Sequence, residues 1–227
     1  AGALDCQALK IKKLSYQGTF GVGYGIVSLQ VKREDLRRNF GMRYEIARRR
    51  ALDDIKSSED DYVRLARESV EKFVVTGQYA ALPDELPEEM RARAGVFVSL
   101  KKDGELRGCI GTFQPAQKDV AEEILYNAVS AALHDPRFSP LKEEELPDIV
   151  YSVDVLTEPE LIGDAAKDLD PKRYGVIVEA RGRKGLLLPD LEGVDTVEEQ
   201  LKIARKKGGI ADDDTVRIWR FEVERHR

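Results

Sequence analysis

An Asp-Gly pair at residues 103 and 104 is the feature that most restricts the fold of this chain, because it stands between two apolar segments, residues 96–100 and 106–112. This pattern is the strongest short-range signal for a β-hairpin. A second hairpin is predicted over residues 174–188, around the turn at residues 181–184. Because hairpins join antiparallel neighbours, the sequence predicts an α/β (α+β) fold with a mostly antiparallel or mixed sheet and flanking helices.

Three helices are predicted to flank this sheet. The first carries an apolar stripe on one face, with Ser58 or Asp60 as its cap and Gly77 after its end. The second ends at the segment of residues 134–136, since a proline disfavours helix at the residue before it. Thr196 and Glu199 form the capping-box pattern that opens the third helix.

Composition excludes several classes of protein. The 227 residues carry 37 Lys and Arg against 42 Asp and Glu, a net charge of -5, which excludes binding of nucleic acid over a broadly basic surface. No apolar run reaches the roughly 18 to 20 residues of a membrane span, so we expect a cytoplasmic protein without membrane contact. The two Cys and two His match neither a disulfide framework nor a common zinc pattern. No metal site is predicted, and the cofactor is left open.

The chain divides into three segments. Residues 1–32 contain short apolar stretches and glycines at 18, 21, 23 and 25, which is typical of the end of a sheet, and we expect a larger domain upstream of them. The Gly-x-Gly-x-Gly at residues 21–25 lacks the helix and the Lys-Ser/Thr pair of a nucleotide loop, so we interpret it as a turn. Residues 33–60 are basic in their first part and acidic in their second part, which is typical of a solvated connector. Alternatively, they form an arm that binds an anionic partner. Residues 61–227 form the main domain.

One segment, residues 105–113, has the composition of a chemical site. On a strand, side chains alternate, which predicts that Arg107, Cys109 and Gly111 share one face and that Gly108, Ile110 and Thr112 share the other. Glycine inside a strand often marks the close approach of a ligand or of another backbone. An Arg two residues away can favour the thiolate, which is the reactive form of Cys. A buried structural cysteine is the alternative.

Two further clusters are candidate sites. The first of them follows the second helix and contains His134, Asp135 and Arg137. Fixed polar groups in such a loop can converge on a ligand. Alternatively, these residues only cap the helix and form a turn. If His134 approached Cys109, the two would form the base and nucleophile of thiol chemistry. The basic hairpin tip with Arg183 and Lys184 could hold an anion, although such tips are often charged only for solubility. Trp219 alternates with apolar residues on the last strand and is interpreted as core.

Several segments identify the chain as a member of a family. LRGCIGTF at residues 106–113, NAVSAALHDPRFSPL at 127–141, YSVDVLTEPELI at 151–162 and residues 174–210 resemble the AMMECR family, in particular AmmeMemoRadiSam system protein A. The resemblance implies a larger and a smaller lobe, with residues 107–112 at the cleft between them and residues 135–137 nearby. It implies a radical S-adenosylmethionine enzyme and a Memo-like protein as partners. Residues 1–32 resemble the last strands of an extradiol-dioxygenase-like (Memo-like) domain, but they hold no His to bind iron. At His134, relatives commonly have Arg or Lys.

Two functions follow from this resemblance and these residues. The first is an enzyme component that works with the radical enzyme and binds a small anionic or nucleotide-like ligand at residues 107–112, where Cys109, Arg107 and His134 are the catalytic candidates. The second is a non-catalytic adaptor that binds protein or nucleic acid. The sequence alone does not identify the reaction that this protein would catalyse.

Overall fold

The computed structural model describes residues 4–19 and 22–227. It contains two compact units, Ala1–Ser57 and Ser58–Arg227. In the first unit, strands β1 (Gln7–Thr19) and β2 (Val22–Glu34) pair antiparallel, and helix α1 (Phe40–Ser57) follows them. Of the Gly-x-Gly-x-Gly pattern, Gly23 and Gly25 lie in strand β2, while Gly21 lies outside the described residues.

The first sheet of the second unit carries its main core. Strands β3 (Val96–Lys102), β4 (Glu105–Thr112), β5 (Ile149–Leu156) and β10 (Val223–His226) form it in the order β10-β5-β3-β4, with every pair antiparallel. Helices α2 (Asp61–Thr76) and α3 (Val120–Leu133) contribute the other half of the core. As predicted, Asp60 caps α2 and Gly77 ends it in the left-handed conformation.

A second, separate sheet follows. It contains β6 (Glu160–Ile162), β9 (Arg217–Phe221), β7 (Gly175–Ala180) and β8 (Arg183–Leu187), in that spatial order. Between its strands the chain forms helix α4 (Ala165–Asp168) and helix α5 (Val197–Gly208), whose predicted capping box between Thr196 and Glu199 is confirmed. Helix α5 packs on this sheet so closely that a Cβ on Gly185 would overlap the α5 backbone.

The predicted fold class is confirmed: helices flank antiparallel sheets. The two predicted hairpins lie in different sheets, β3–β4 in the first and β7–β8 in the second. Each turns at two residues with positive φ, Asp103-Gly104 and Arg181-Gly182, as a type I′ turn requires. Among residues 4–19 and 22–227, no helix is both long and apolar enough to cross a membrane.

Candidate functional site

Cys109 lies on β4, the edge strand of the first sheet. It is directly opposite Ser99 on β3, and the Ser99 Oγ and Cys109 Sγ atoms are 3.2 Å apart. The flanking glycines are explained by packing against protein atoms. A Cβ on Gly108 would overlap the Ala131 carbonyl of α3, and a Cβ on Gly111 would lie 2.6 Å from the Phe97 Cα atom. Ile110, on the Gly108 side, packs against the core.

Arg107 does not lie where simple alternation predicts. The β3–β4 register shifts between Leu100, opposite Gly108, and Lys101, opposite Leu106, so Arg107 is the extra residue of a β-bulge. Its guanidinium binds the Glu145 carboxylate at 3.0 and 3.1 Å and the Ser139 carbonyl at 3.0 Å. Arg107, ahead of other contacts, lowers the pKa of Glu145 to about 2. Arg107 is therefore engaged by the segment after α3 and not by Cys109.

The loop after α3 closes the free edge of β4 at Cys109. The buried Asp135 carboxylate accepts the Cys109 N–H at 2.9 Å, and Arg137 Nη2 donates to the Cys109 carbonyl at 3.2 Å. Arg137 also donates to Asp135 through its backbone N–H, Nε and Nη2. The hydrogen bond from Arg137 is the main reason why the pKa of Asp135 is lowered. This arrangement satisfies backbone groups that an edge strand leaves unpaired.

The predicted base is placed differently. The His134 side chain is exposed, and the His134 backbone N–H ends α3 by donating to the Ser130 carbonyl. Within the described part of the chain, no hydrogen bond joins its imidazole to Cys109. The cation beside the Cys109 peptide is Arg137, which Asp135 already pairs.

Thr112, also predicted as a ligand residue, belongs to a buried polar network. Its Oγ1 donates to Glu123 at 2.6 Å, and the same carboxylate accepts the Gln117 N–H at 2.7 Å and Asn127 Nδ2 at 3.2 Å. Glu123 is almost fully buried. The network anchors the loop that follows β4, which carries Phe113 and Pro115.

That loop forms one wall of a cavity of about 710 Å³, which also involves the segment before β3, the end of β5 with the segment after it, and the strands of the second sheet. Its lining includes four apolar side chains, three cations and two carboxylates: Phe113, Leu156, Ile177 and Trp219; Arg93, Lys184 and Arg217; Glu158 and Glu179. Of the site residues predicted from sequence, all of them in described segments, Lys184 alone lines this cavity. Arg183 is directed instead to the Gly209 carbonyl and Asp214.

The charges in the cavity are organised around Glu179. Its carboxylate accepts a hydrogen bond from Arg217 Nη2 at 2.6 Å and lies 3.5 Å from Lys184 Nζ. Arg217 is the main cause of the lowered pKa of Glu179, so this group is ionised at neutral pH. Arg93 donates to the Pro115 carbonyl at 3.3 Å, and no carboxylate partner of Arg93 is described in residues 4–19 and 22–227.

Aromatic rings lie beside these cations. The Arg217 guanidinium carbon is 5.2 Å from the centroid of Trp219, and Lys184 Nζ is 5.9 Å from that of Phe113. Trp219, interpreted as core from the sequence, is half-buried and borders the cavity. The alternation of β9 was the available signal, since it places Arg217 and Trp219 on one face.

The described residues contain no group of three or more His, Cys, Asp or Glu side chains that could hold a metal ion. A family model described as AMMECR1 matches residues 63–226. The chain belongs to the AMMECR1 family. Its AMMECR1 domain therefore comprises the two four-stranded sheets and the helices α2 to α5.

Relatives of the AMMECR1 domain differ in length. Protein CA_C1420 of Clostridium acetobutylicum is 48% identical over the whole chain, but the chain spans only 48% of that protein. A Thermotoga maritima protein is 52% identical over 74% of this chain and 98% of its own length. The crystal structure of uncharacterized protein PH0010 from Pyrococcus horikoshii matches with a TM-score of 0.66 and 35% identity, over 72% of this chain and 88% of that chain.

Proposed function

We propose that the AMMECR1 domain binds a small anionic ligand with a flat apolar part in the cavity beside Trp219. The supporting observation is the combination of two aromatic rings with three cations, Arg93, Lys184 and Arg217, in one cavity. Its volume falls in the range of about 300 to 1,000 Å³ that is usual for small-molecule sites. The proposal retains Lys184 from the sequence prediction and moves the ligand away from residues 107–112, where the glycines and Thr112 are used in packing.

Trp219 is the only tryptophan of the chain, so its emission reports on the cavity. We expect the aromatic anion anilinonaphthalenesulfonate to bind saturably and to receive energy from Trp219. Lys184→Ala and Arg93→Ala should each weaken binding about fivefold, because each removes a partly exposed charge contact worth about 1 kcal/mol. Lys207→Ala, an exposed cation of α5 outside the cavity lining, is the matched control. Equal affinity in all variants would exclude this cavity as the binding site.

An enzymatic role at Cys109 is a second candidate. Its support is that the thiol is only partly buried and that Arg137 lies at the same peptide. The partnership with a radical S-adenosylmethionine enzyme and a Memo-like protein, and the cytoplasmic location, stay predictions from family resemblance and composition. In a system reconstituted with that radical enzyme, Cys109→Ser should abolish activity while the melting temperature stays nearly unchanged. Full activity of this variant would exclude catalysis by Cys109, and ligand binding or an adaptor role would then be the function of the domain.

Residues 1–32, which fall in the first unit, are proposed to belong to a neighbouring domain, as the sequence predicts. Leu9 pairs with Val31 and Ile11 with Leu29, and with Val27 these side chains form an apolar ladder. Ile11, Leu29, Val31 and Val27 are 50% to 64% exposed. Protein CA_C1420, which matches the whole chain, is about twice as long, and this length fits a further domain that covers the ladder. We expect removal of residues 1–57 to leave the unfolding of the AMMECR1 domain unchanged; loss of folding would show that the unit is part of it.

A further inference from the structure

Glu179 is the centre of the charges that face the cavity. It lies on β7 between Arg217 of β9 and Lys184 of β8, and it contacts both. Two of the three lining cations are thus already partly neutralised by one carboxylate of the protein. Glu158 supplies a second carboxylate, so the lining carries one net positive charge, three cations less two anions.

On the basis of the ligand site proposed above, we infer that Glu179 sets the charge of the ligand, and that the cavity selects a flat monoanion such as an aromatic carboxylate over a phosphate dianion. One negative charge can be balanced by Arg93, whose described polar partner is the neutral Pro115 carbonyl. A second negative charge would face Glu179, which already engages the other two lining cations. Like charges a few ångströms apart repel, and a partly closed site screens them less than bulk water does.

The apolar surface of the cavity limits the other part of the ligand. Phe113 and Trp219 offer ring surfaces, and Leu156 and Ile177 are aliphatic. Burial of a flat apolar group against such side chains is favourable, and it has no dependence on the charge of the ligand. The ring of the ligand therefore contributes affinity, while Glu179 and its two partner cations determine which charge is accepted.

The test uses three probes that share one ring system: naphthoate, naphthyl phosphate and naphthylmethanol. The second pKa of a phosphate ester is typically about 6, so the titrations are made about two pH units above that value. There naphthoate carries one negative charge, naphthyl phosphate carries two, and naphthylmethanol carries none. Affinities are measured by titration calorimetry on the full chain. We expect naphthoate to bind about tenfold more tightly than naphthyl phosphate.

Glu179→Gln removes the charge and keeps the shape, and it should shift the ratio of the two affinities by about tenfold towards naphthyl phosphate. Naphthylmethanol should bind the variant as it binds the parent chain. Glu158→Gln is the matched control, because Glu158 has no described contact with Arg217 or Lys184; its effect on the ratio should be smaller.

The outcomes separate the two proposals. If naphthyl phosphate binds as tightly as naphthoate, or if Glu179→Gln leaves their ratio unchanged, the role of Glu179 is wrong while ligand binding stands. If none of the three probes binds, the proposed cavity site itself fails. Trp219→Phe lowers the affinity of a probe bound in the cavity, and an unchanged affinity in that variant would place the probes elsewhere and overturn both.

Discussion

Gly108→Ala tests whether the glycines around Cys109 serve packing or ligand access. The new methyl group would overlap the Ala131 carbonyl oxygen, and the carbonyl carbon would lie 3.1 Å from it. Helix α3 cannot retreat easily, because Ala128, Ala131 and Ala132 are at most 3% exposed in the core. Overpacking typically costs about 1 to 3 kcal/mol, and a backbone obstacle argues for the upper end, about 3 kcal/mol. For a domain of this size that lowers the melting temperature by about 6 to 12 °C.

Urea unfolding followed by circular dichroism measures this change in free energy. Gly163→Ala is the control: nothing lies within 4 Å of the position that its new methyl group would take, and its φ is not positive, so a change below about 0.5 kcal/mol is expected. If Gly108→Ala were as stable as the parent chain, α3 would not pack against Gly108 as closely as the structure shows. The absence of side chains at the glycines would then again support a ligand at residues 107–112.

Three further predictions concern the same region. Glu145 binds Arg107, which lowers the pKa of Glu145 from 4.5 to about 2. The contribution of ionised Glu145 to stability is therefore present above pH 4.5 and is lost as the pH falls through about 2. Glu145→Gln should flatten that loss in urea unfolding at several pH values, and an equally steep loss would contradict the pairing. Asp135→Asn should cost about 2 kcal/mol and speed amide exchange at Cys109, because charge-assisted hydrogen bonds are lost; unchanged exchange would argue against the edge closure. Cys109→Ser should change stability by less than about 1 kcal/mol, since a hydroxyl can keep the contact with Ser99; a larger loss by calorimetry would mean a tightly packed thiol.

The hairpins and helices were predictable because their signals are local. The β3–β4 turn needs positive φ only at the neighbouring residues Asp103 and Gly104. The side chains of Asp60 and Thr196 accept hydrogen bonds from backbone amides only two or three residues further along the chain. The bulge at Arg107 was not predictable in this way, since it depends on the register with β3. Alternation therefore grouped Arg107 with Cys109, whereas Glu145, 38 residues away in sequence, binds its guanidinium.

The candidate site depended still more on tertiary structure. Lys184 could be named from its basic hairpin tip, but Arg93, Glu179 and Trp219 come from separate strands and loops, and only the packing of two sheets places them around one cavity. The alternation of β9 places the cation Arg217 and Trp219 on one face, but it does not show whether that face borders a cavity or the core.

The turns, the helix ends, a mostly antiparallel or mixed sheet and the membership of the family could all be predicted from the sequence alone, because each depends on backbone preferences or on residues close together in the chain. Four features could be seen only in the folded chain: the two hairpins lie in different sheets, α3 packs on Gly108, Asp135 and Arg137 close the edge of β4, and Glu179 joins two cations in a cavity. These features come from contacts between distant segments, whose geometry is set by strand register and burial and not by local conformation.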